Sequence, residues 1–271
     1  MSQAPDASAP RPAPLSRQLA AGLVPTFLLA LLSYALPEIA LDTSFADAVV
    51  VLTDTTYWGQ LPIISGVVML LIVSRAGLSA RRRMVEAGSM IGAMLVVLLA
   101  WALVNEHLIK PAIASPRPNI VALAEAGELG VGSPDAFYAL GDKDERRDHL
   151  RELYEGPEPP EEVALSPRVR EHWIHETGYS FPSGHSTAAM TFATMMFAVG
   201  LAWLSGWRRM LTNLLPVWAL GVVYSRPLLR VHRASDVSVG ALAGITLGLL
   251  AFAAISWVVK RVPDEPAETR A

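Results

Sequence analysis

The chain has no cysteine among its 271 residues. That excludes a disulfide framework, a thiolate metal site and a cysteine nucleophile. Charge is scarce too. Asp, Glu, Lys and Arg make up 17% of the residues, where soluble proteins average about 25%. The net charge is −3 and the pI about 6.1, so the chain lacks the basic excess of a nucleic-acid binder, and no nucleic-acid partner is expected. Apolar residues take the place of charge, at 52% of the chain with a mean hydropathy of +0.37. A disordered chain cannot leave that much apolar surface in water. The composition is that of a membrane protein.

A helix crosses the hydrocarbon layer with about 20 apolar residues. Stretches of about this kind lie near 19–36, 57–74, 85–109, 185–204, 209–225 and 236–259. Residues 1–18, rich in Pro, Ala and Ser, read as a disordered tail. With no small-x-small site after it, the first stretch reads as a span rather than a cleaved leader. Loop charges set the orientation. The 37–56 loop has Glu38, Asp42, Asp47 and Asp54 but no Lys or Arg. Arg75, Arg81, Arg82 and Arg83 follow the second span, Arg208 and Arg209 lie between the fourth and fifth, and Lys260 and Arg261 close the sixth. The alternation predicts both termini in the cytoplasm. Tyr57 and Trp58 are expected at the outer interface, and Trp203, Trp207 and Trp257 at the inner one.

Between spans three and four lies a polar insertion, 119–180, with fourteen acids against six bases. Asp142 to Tyr154 interleaves charges at helical spacing. The expected fold is therefore all-α: a polytopic six-transmembrane-helix bundle with an extracytoplasmic helical cap between helices three and four. Its parts are a cytoplasmic tail (1–18), spans one to three (19–118), the acidic cap (119–180), spans four to six (181–260) and a second cytoplasmic tail (261–271).

Three clusters sit at the ends of apolar stretches: Lys110 to Pro118, Phe181 to His185, and Ser225 to Asp236. Each suits an anion. Lys110, Arg117 and Arg226 are cations, and arginine binds two phosphate oxygens at once. Ser183 and Gly184 open a helix, where free amide donors and the helix dipole favour phosphate. His232 and Asp236 are four residues apart, on one face if their helix starts early. A carboxylate there holds one imidazole nitrogen protonated and leaves the other to attack. Six spans place all three clusters on one membrane face, where arginines run against the positive-inside bias.

The pattern Lys110, Arg117-Pro118, Pro182 to His185, Ser225-Arg226, His232 and Asp236 resembles the type 2 phosphatidic acid phosphatase superfamily. Arg233 departs from it, since tryptophan is frequent there. The resemblance implies a lipid phosphatase of the bacterial inner membrane with its site facing the periplasm and no metal or cofactor. In it His232 attacks phosphorus, Asp236 supports His232, and His185 protonates the leaving oxygen. Lys110, Arg117, Ser183, Gly184 and Arg226 hold the phosphoryl oxygens. Glu176, seven residues before Ser183, is a candidate for headgroup contact or for tuning His185. The implied substrate is a lipid phosphate arriving from the bilayer, such as undecaprenyl diphosphate or phosphatidylglycerol phosphate. Two other functions remain: a transferase moving phosphate from undecaprenyl diphosphate to lipid A, and a non-catalytic lipid-binding protein. Intact His185, His232 and Asp236 favour an enzyme. His172 and His175, three apart, imitate a metal pair but lack a third ligand in register.

Overall fold

Apolar segments away from water must satisfy their own backbone, and helices do so. The computed structural model describes residues 13–57, 60–161 and 163–262. Among those residues the regular secondary structure is all helical, apart from one isolated bridge between Leu41 and Leu165. The first half holds α1 (Leu15–Ala30), α2 (Ser44–Asp54), α3 (Gln60–Val73), α4 (Ala80–Val104) and α5 (Lys110–Ile113). The insertion contributes α6 (Pro118–Glu125), α7 (Pro134–Tyr138), α8 (Lys143–Glu155) and α9 (Pro167–His175). The long helices α10 (Gly184–Trp203), α11 (Gly206–Leu228) and α12 (Ala234–Val259) finish the chain. Because α1 starts at Leu15, the last residues expected in the N-terminal tail are helical. The rest of that tail up to residue 12, Trp58, Glu162 and residues 263–271 lie outside the described residues.

Among the described residues, four helical runs are long and apolar enough to cross a membrane: Leu15–Ala35, Ala80–Glu125, Gly184–Trp203 and Ala234–Val259. The other two expected spans fall short for different reasons. α3 is apolar but only 14 residues long. α11 has 23 residues but carries Arg208, Arg209 and Arg226. It also runs through Pro216 and Pro227 to Leu228, past the Arg226-Pro227 pair expected to end it.

α10 is the axis of the bundle and is buried along most of its length. Gly240, Gly244 and Gly248 lie one turn apart on α12, against the carbonyls of Ser183, Thr187 and Thr191. A Cβ at these positions would approach those oxygens to 2.6, 2.6 and 2.7 Å. The helices therefore meet backbone to backbone, a packing mode suited to lipid, where apolar burial adds little. This approach brings the first turns of both helices together, and Ser183 N donates to Asp236 O at 3.1 Å.

The basic residues at the opposite end of the helices, read above for orientation, make specific bonds. Glu86 is fully buried and receives Arg75 through bonds of 2.7 and 2.8 Å and Arg82 at 2.9 Å. Arg82 also donates to Val259 O at 2.9 Å, Arg83 to Val73 O at 2.5 Å and Arg208 to Leu71 O at 3.0 Å. These bonds satisfy carbonyls that helix C-termini leave unpaired.

The insertion shares a second core with α2 and the turn before α12, in which Ile120, Leu123, Phe137, Leu150 and Trp173 are completely buried beside Ala46 and Val231. α8 begins at a capping box made by Asp142 and Glu145, within the stretch expected to be helical. Trp173 Nε1 on α9 donates to Leu229 O at 2.8 Å, and Ser166 Oγ to Asp47 Oδ1 at 2.5 Å. The insertion is thus fastened both to α2 and to the turn that leads into His232.

Candidate active site

Helix α5 stops at Ala114, whose φ is 50°, and Pro116 and Pro118 flank Arg117, which is extended. That break turns the Arg117 side chain inward. Its Nε donates to Gly178 O at 2.7 Å and its Nη1 to Val231 O at 3.0 Å. Nη2 pairs with Glu176 Oε2 at 2.7 Å, and Nη1 also lies 3.0 Å from His232 Nε2. A guanidinium only donates. The His232 Nε2 lone pair must therefore face Arg117, and the ring proton sits on Nδ1, 3.4 Å from Asp236 Oδ2. Burial, with Arg117 and Arg226 close by, presses His232 well below the ordinary imidazole range, so the ring is neutral near pH 7.

The His232–Asp236 pair does not share a helical face, as its spacing suggested. α12 begins at Ala234, after His232. The pair forms because Asp236 turns back as the cap of its own helix, accepting from Arg233 N at 2.9 Å. Arg233, the departure from the motif, reaches across to Pro116 O at 2.7 Å and ties the third cluster to the first.

Arg226 is fully buried. Its Nη2 meets Glu176 Oε1 at 2.5 Å, so one carboxylate bridges both arginines. Burial alone raises the Glu176 carboxyl, but Arg117 and Arg226 outweigh it and hold it well below the usual carboxylate range. His185 Nε2 lies 4.0 Å from Glu176 Oε1 and is buried without a hydrogen-bond partner among the described residues. Tyr57, expected only at the interface, presents its ring edgewise to His185 with centroids 5.1 Å apart.

Ser183 caps α10. Its Oγ accepts from Ser186 N at 3.4 Å and from Ser186 Oγ at 3.0 Å. The amides of the first turn, Gly184 and His185, are those an α-helix leaves without an internal acceptor. Lys110 is buried, and its ammonium pairs with Glu106 one turn earlier. Glu106 also pairs with Lys143 at the start of α8. The structure thus joins Arg117, Arg226, Glu176, His185, His232 and Asp236 in one cluster, while Lys110 and Ser183 are engaged with neighbours of their own.

A family model described as the PAP2 superfamily matches residues 86–260. The chain belongs to the PAP2 superfamily. Phosphatidylglycerophosphatase B of Escherichia coli (strain K12) is 36% identical over 173 residues, covering 62% of this chain and 61% of that protein. The protein of the same name from Haemophilus influenzae is 34% identical over 149 residues, covering 53% and 57%. The chain spans about three fifths of the length of these curated relatives.

Several residues of this PAP2 chain come to the cluster with no signal in its motif spacing. His172 pairs with Arg226 instead of with His175, which lies by Glu171 at 3.0 Å. Among the described residues no group of three or more His, Asp or Glu side chains is placed to hold a metal ion. Glu106 had a legible signal, an acid four residues before the motif lysine. Thr53 and Tyr57 had none, since they lie more than a hundred residues from the groups they meet.

Proposed function

We propose that the chain is an integral-membrane lipid phosphatase that cleaves a terminal phosphate through a phosphohistidine on His232, without a metal. One observation carries the proposal: a neutral His232 presents its Nε2 lone pair in the same cluster as two buried arginines. In the first step Nε2 attacks phosphorus, the bond from phosphorus to the lipid oxygen breaks, and His185, which takes up a proton when the anionic phosphate binds beside it, gives that proton to the oxygen. In the second, neutral His185 takes a proton from water, the oxygen attacks the phosphohistidine, and phosphate leaves. Arg117 and Arg226, with Lys110 and the Gly184 amide, balance the charge on the phosphoryl oxygens. Ser183 shapes the start of α10, and Glu176 holds the two guanidiniums apart in readiness. Asp236 keeps the His232 proton on Nδ1.

The reading extends to topology. α3 and α11 complete six spans with the helices already long enough, and the insertion caps the site on the periplasmic side of the inner membrane. The outward faces of these helices, with Ile63 and Leu70 on α3 and Val217 on α11 exposed, suit contact with lipid. The relatives' name points to phosphatidylglycerol phosphate, and the family resemblance adds undecaprenyl diphosphate.

The test is phosphate release by the detergent-purified full chain, in EDTA, from these two lipids and phosphatidic acid. Release that survives EDTA and disappears in His232→Ala supports the proposal. Absence of release from all three lipids, or release undiminished in His232→Ala, overturns it. Transfer of label to added lipid A in place of water makes the chain a transferase.

A further inference from the structure

Two rows of side chains repeat one order. In the first, Asp236 Oδ2 stands 3.4 Å from His232 Nδ1, and His232 Nε2 stands 3.0 Å from Arg117 Nη1. In the second, Asp54 Oδ1 stands 3.9 Å from His172 Nδ1, and His172 Nε2 stands 3.1 Å from Arg226 Nη1. Both rows end on Glu176, which receives Nη2 of each arginine. The first row contains the proposed nucleophile. In the second, Asp54 and His172 have no part in the chemistry described above.

We infer that His172 is the positioning residue of Arg226, fixing its guanidinium so that Nε and Nη2 face the phosphoryl group. The inference rests on the phosphatase reading for what the arginine binds. A guanidinium has five N–H donors. The two on Nη1 have their acceptors, Thr53 Oγ1 at 2.9 Å and His172 Nε2 at 3.1 Å. One on Nη2 goes to Glu176. Nε is buried with no acceptor among the described residues. A buried donor without a partner is costly, and an oxyanion is the acceptor that a guanidinium fork fits.

The choice of histidine has a reason. Glu176 already offsets one of the two guanidinium charges, and a second carboxylate behind Nη1 would cancel the one left for phosphate. A neutral imidazole accepts the hydrogen bond and leaves that charge intact. Burial, with Arg226 beside it, holds His172 down at about 3, so the ring stays an acceptor across the physiological range. Its position is set from outside the bundle: α9 is pinned by Trp173, the next residue, to the turn after α11. The insertion thereby orients an arginine of the bundle.

The experiment measures binding of inorganic phosphate to the detergent-purified full chain by calorimetry, which needs no turnover. His172→Phe removes the acceptor and is expected to weaken binding at least tenfold, with a cooperative unfolding transition retained at a lower thermal midpoint. His172→Gln restores an acceptor and is expected to stay within threefold of the wild type. Thr53→Val, an independent change behind the same nitrogen, is expected to weaken binding about threefold. In an Arg226→Lys background, His172→Phe is expected to add less than twofold. Wild-type affinity in a folded His172→Phe, multiplicative effects with Arg226→Lys, or no binding by the wild type each overturn the inference. Should His172→Phe not fold, Thr53→Val decides: unchanged binding overturns the inference and weaker binding supports it. Loss of phosphate release with phosphate binding retained would sink the phosphatase reading alone.

Discussion

Arg117 Nη1 lies 3.0 Å from His232 Nε2, the nitrogen proposed to attack phosphorus. The contact fixes the histidine tautomer and places a phosphate-binding donor beside the nucleophile. Arg117 also reaches Gly178 O, Val231 O and Glu176. A lysine ammonium cannot span those directions. Arg117→Lys is therefore expected to lower kcat/KM by about 100-fold or more, the scale of losing an oxyanion donor. Steady-state kinetics on a lipid phosphate checks this, and a rate near wild type would contradict the assignment.

His232→Ala is expected to abolish turnover, and quenching wild type with labelled substrate should trap acid-labile, alkali-stable label on the protein. His185→Ala is expected to slow the first, phosphohistidine-forming step severely on lipid substrates and much less on an aryl phosphate, whose leaving oxygen needs no proton. Equal losses on both substrates would remove His185 from the leaving-group step.

Acid sensitivity has a worked sign. His172 takes up its proton near 6.5 when unfolded and at about 3 when folded. Between those values the unfolded chain binds more protons, so stability rises with pH. The contribution is complete above 6.5 and fades as pH falls toward 3. His172→Gln should flatten the thermal midpoint against pH between 6.5 and 4. An unchanged slope in that variant would refute the prediction.

The α10–α12 contact has no space for side chains at Gly244, where a Cβ would come within 2.6 Å of Thr187 O and Met190 Cβ. Gly244→Leu is expected to destabilise the chain by about 3 kcal/mol or more, at the upper end of overpacking costs. Gly66→Ala, with nothing within 4 Å of the added carbon, is the neutral control. Thermal unfolding in detergent compares the two.

Glu86 is buried between Arg75 and Arg82. Glu86→Ala removes the counter-charge that Arg75 and Arg82 share and is expected to cost about 3 kcal/mol, seen as a lower thermal midpoint with KM for lipid phosphate unchanged.

Much of this was legible in the residues. Helix α8 announced itself through charges interleaved at helical spacing from Asp142 to Tyr154, and the family motifs singled out the candidate residues from Lys110 to Asp236. Local signals of this kind depend on neighbours a few positions apart, where periodicity and capping act. The second and fifth expected spans were less legible. α3 is too short to stand out, and the ends of α11 carry arginines whose partners are carbonyls and carboxylates elsewhere in the chain.

The amino-acid order alone determined the helical class, the apolar character and the motif residues, because each follows from composition or from short spacing. Tertiary structure decided which of those residues meet. It turned Asp236 back onto His232 through a helix cap, bridged Arg117 and Arg226 with Glu176, and brought Thr53 and His172 behind Arg226. Apart from the Asp236–His232 pair, four residues apart, such contacts join side chains separated by fifty to more than a hundred positions. No local period encodes them. They exist because backbone-to-backbone packing of α10 on α12 and the docking of α9 leave those side chains one shared volume to occupy.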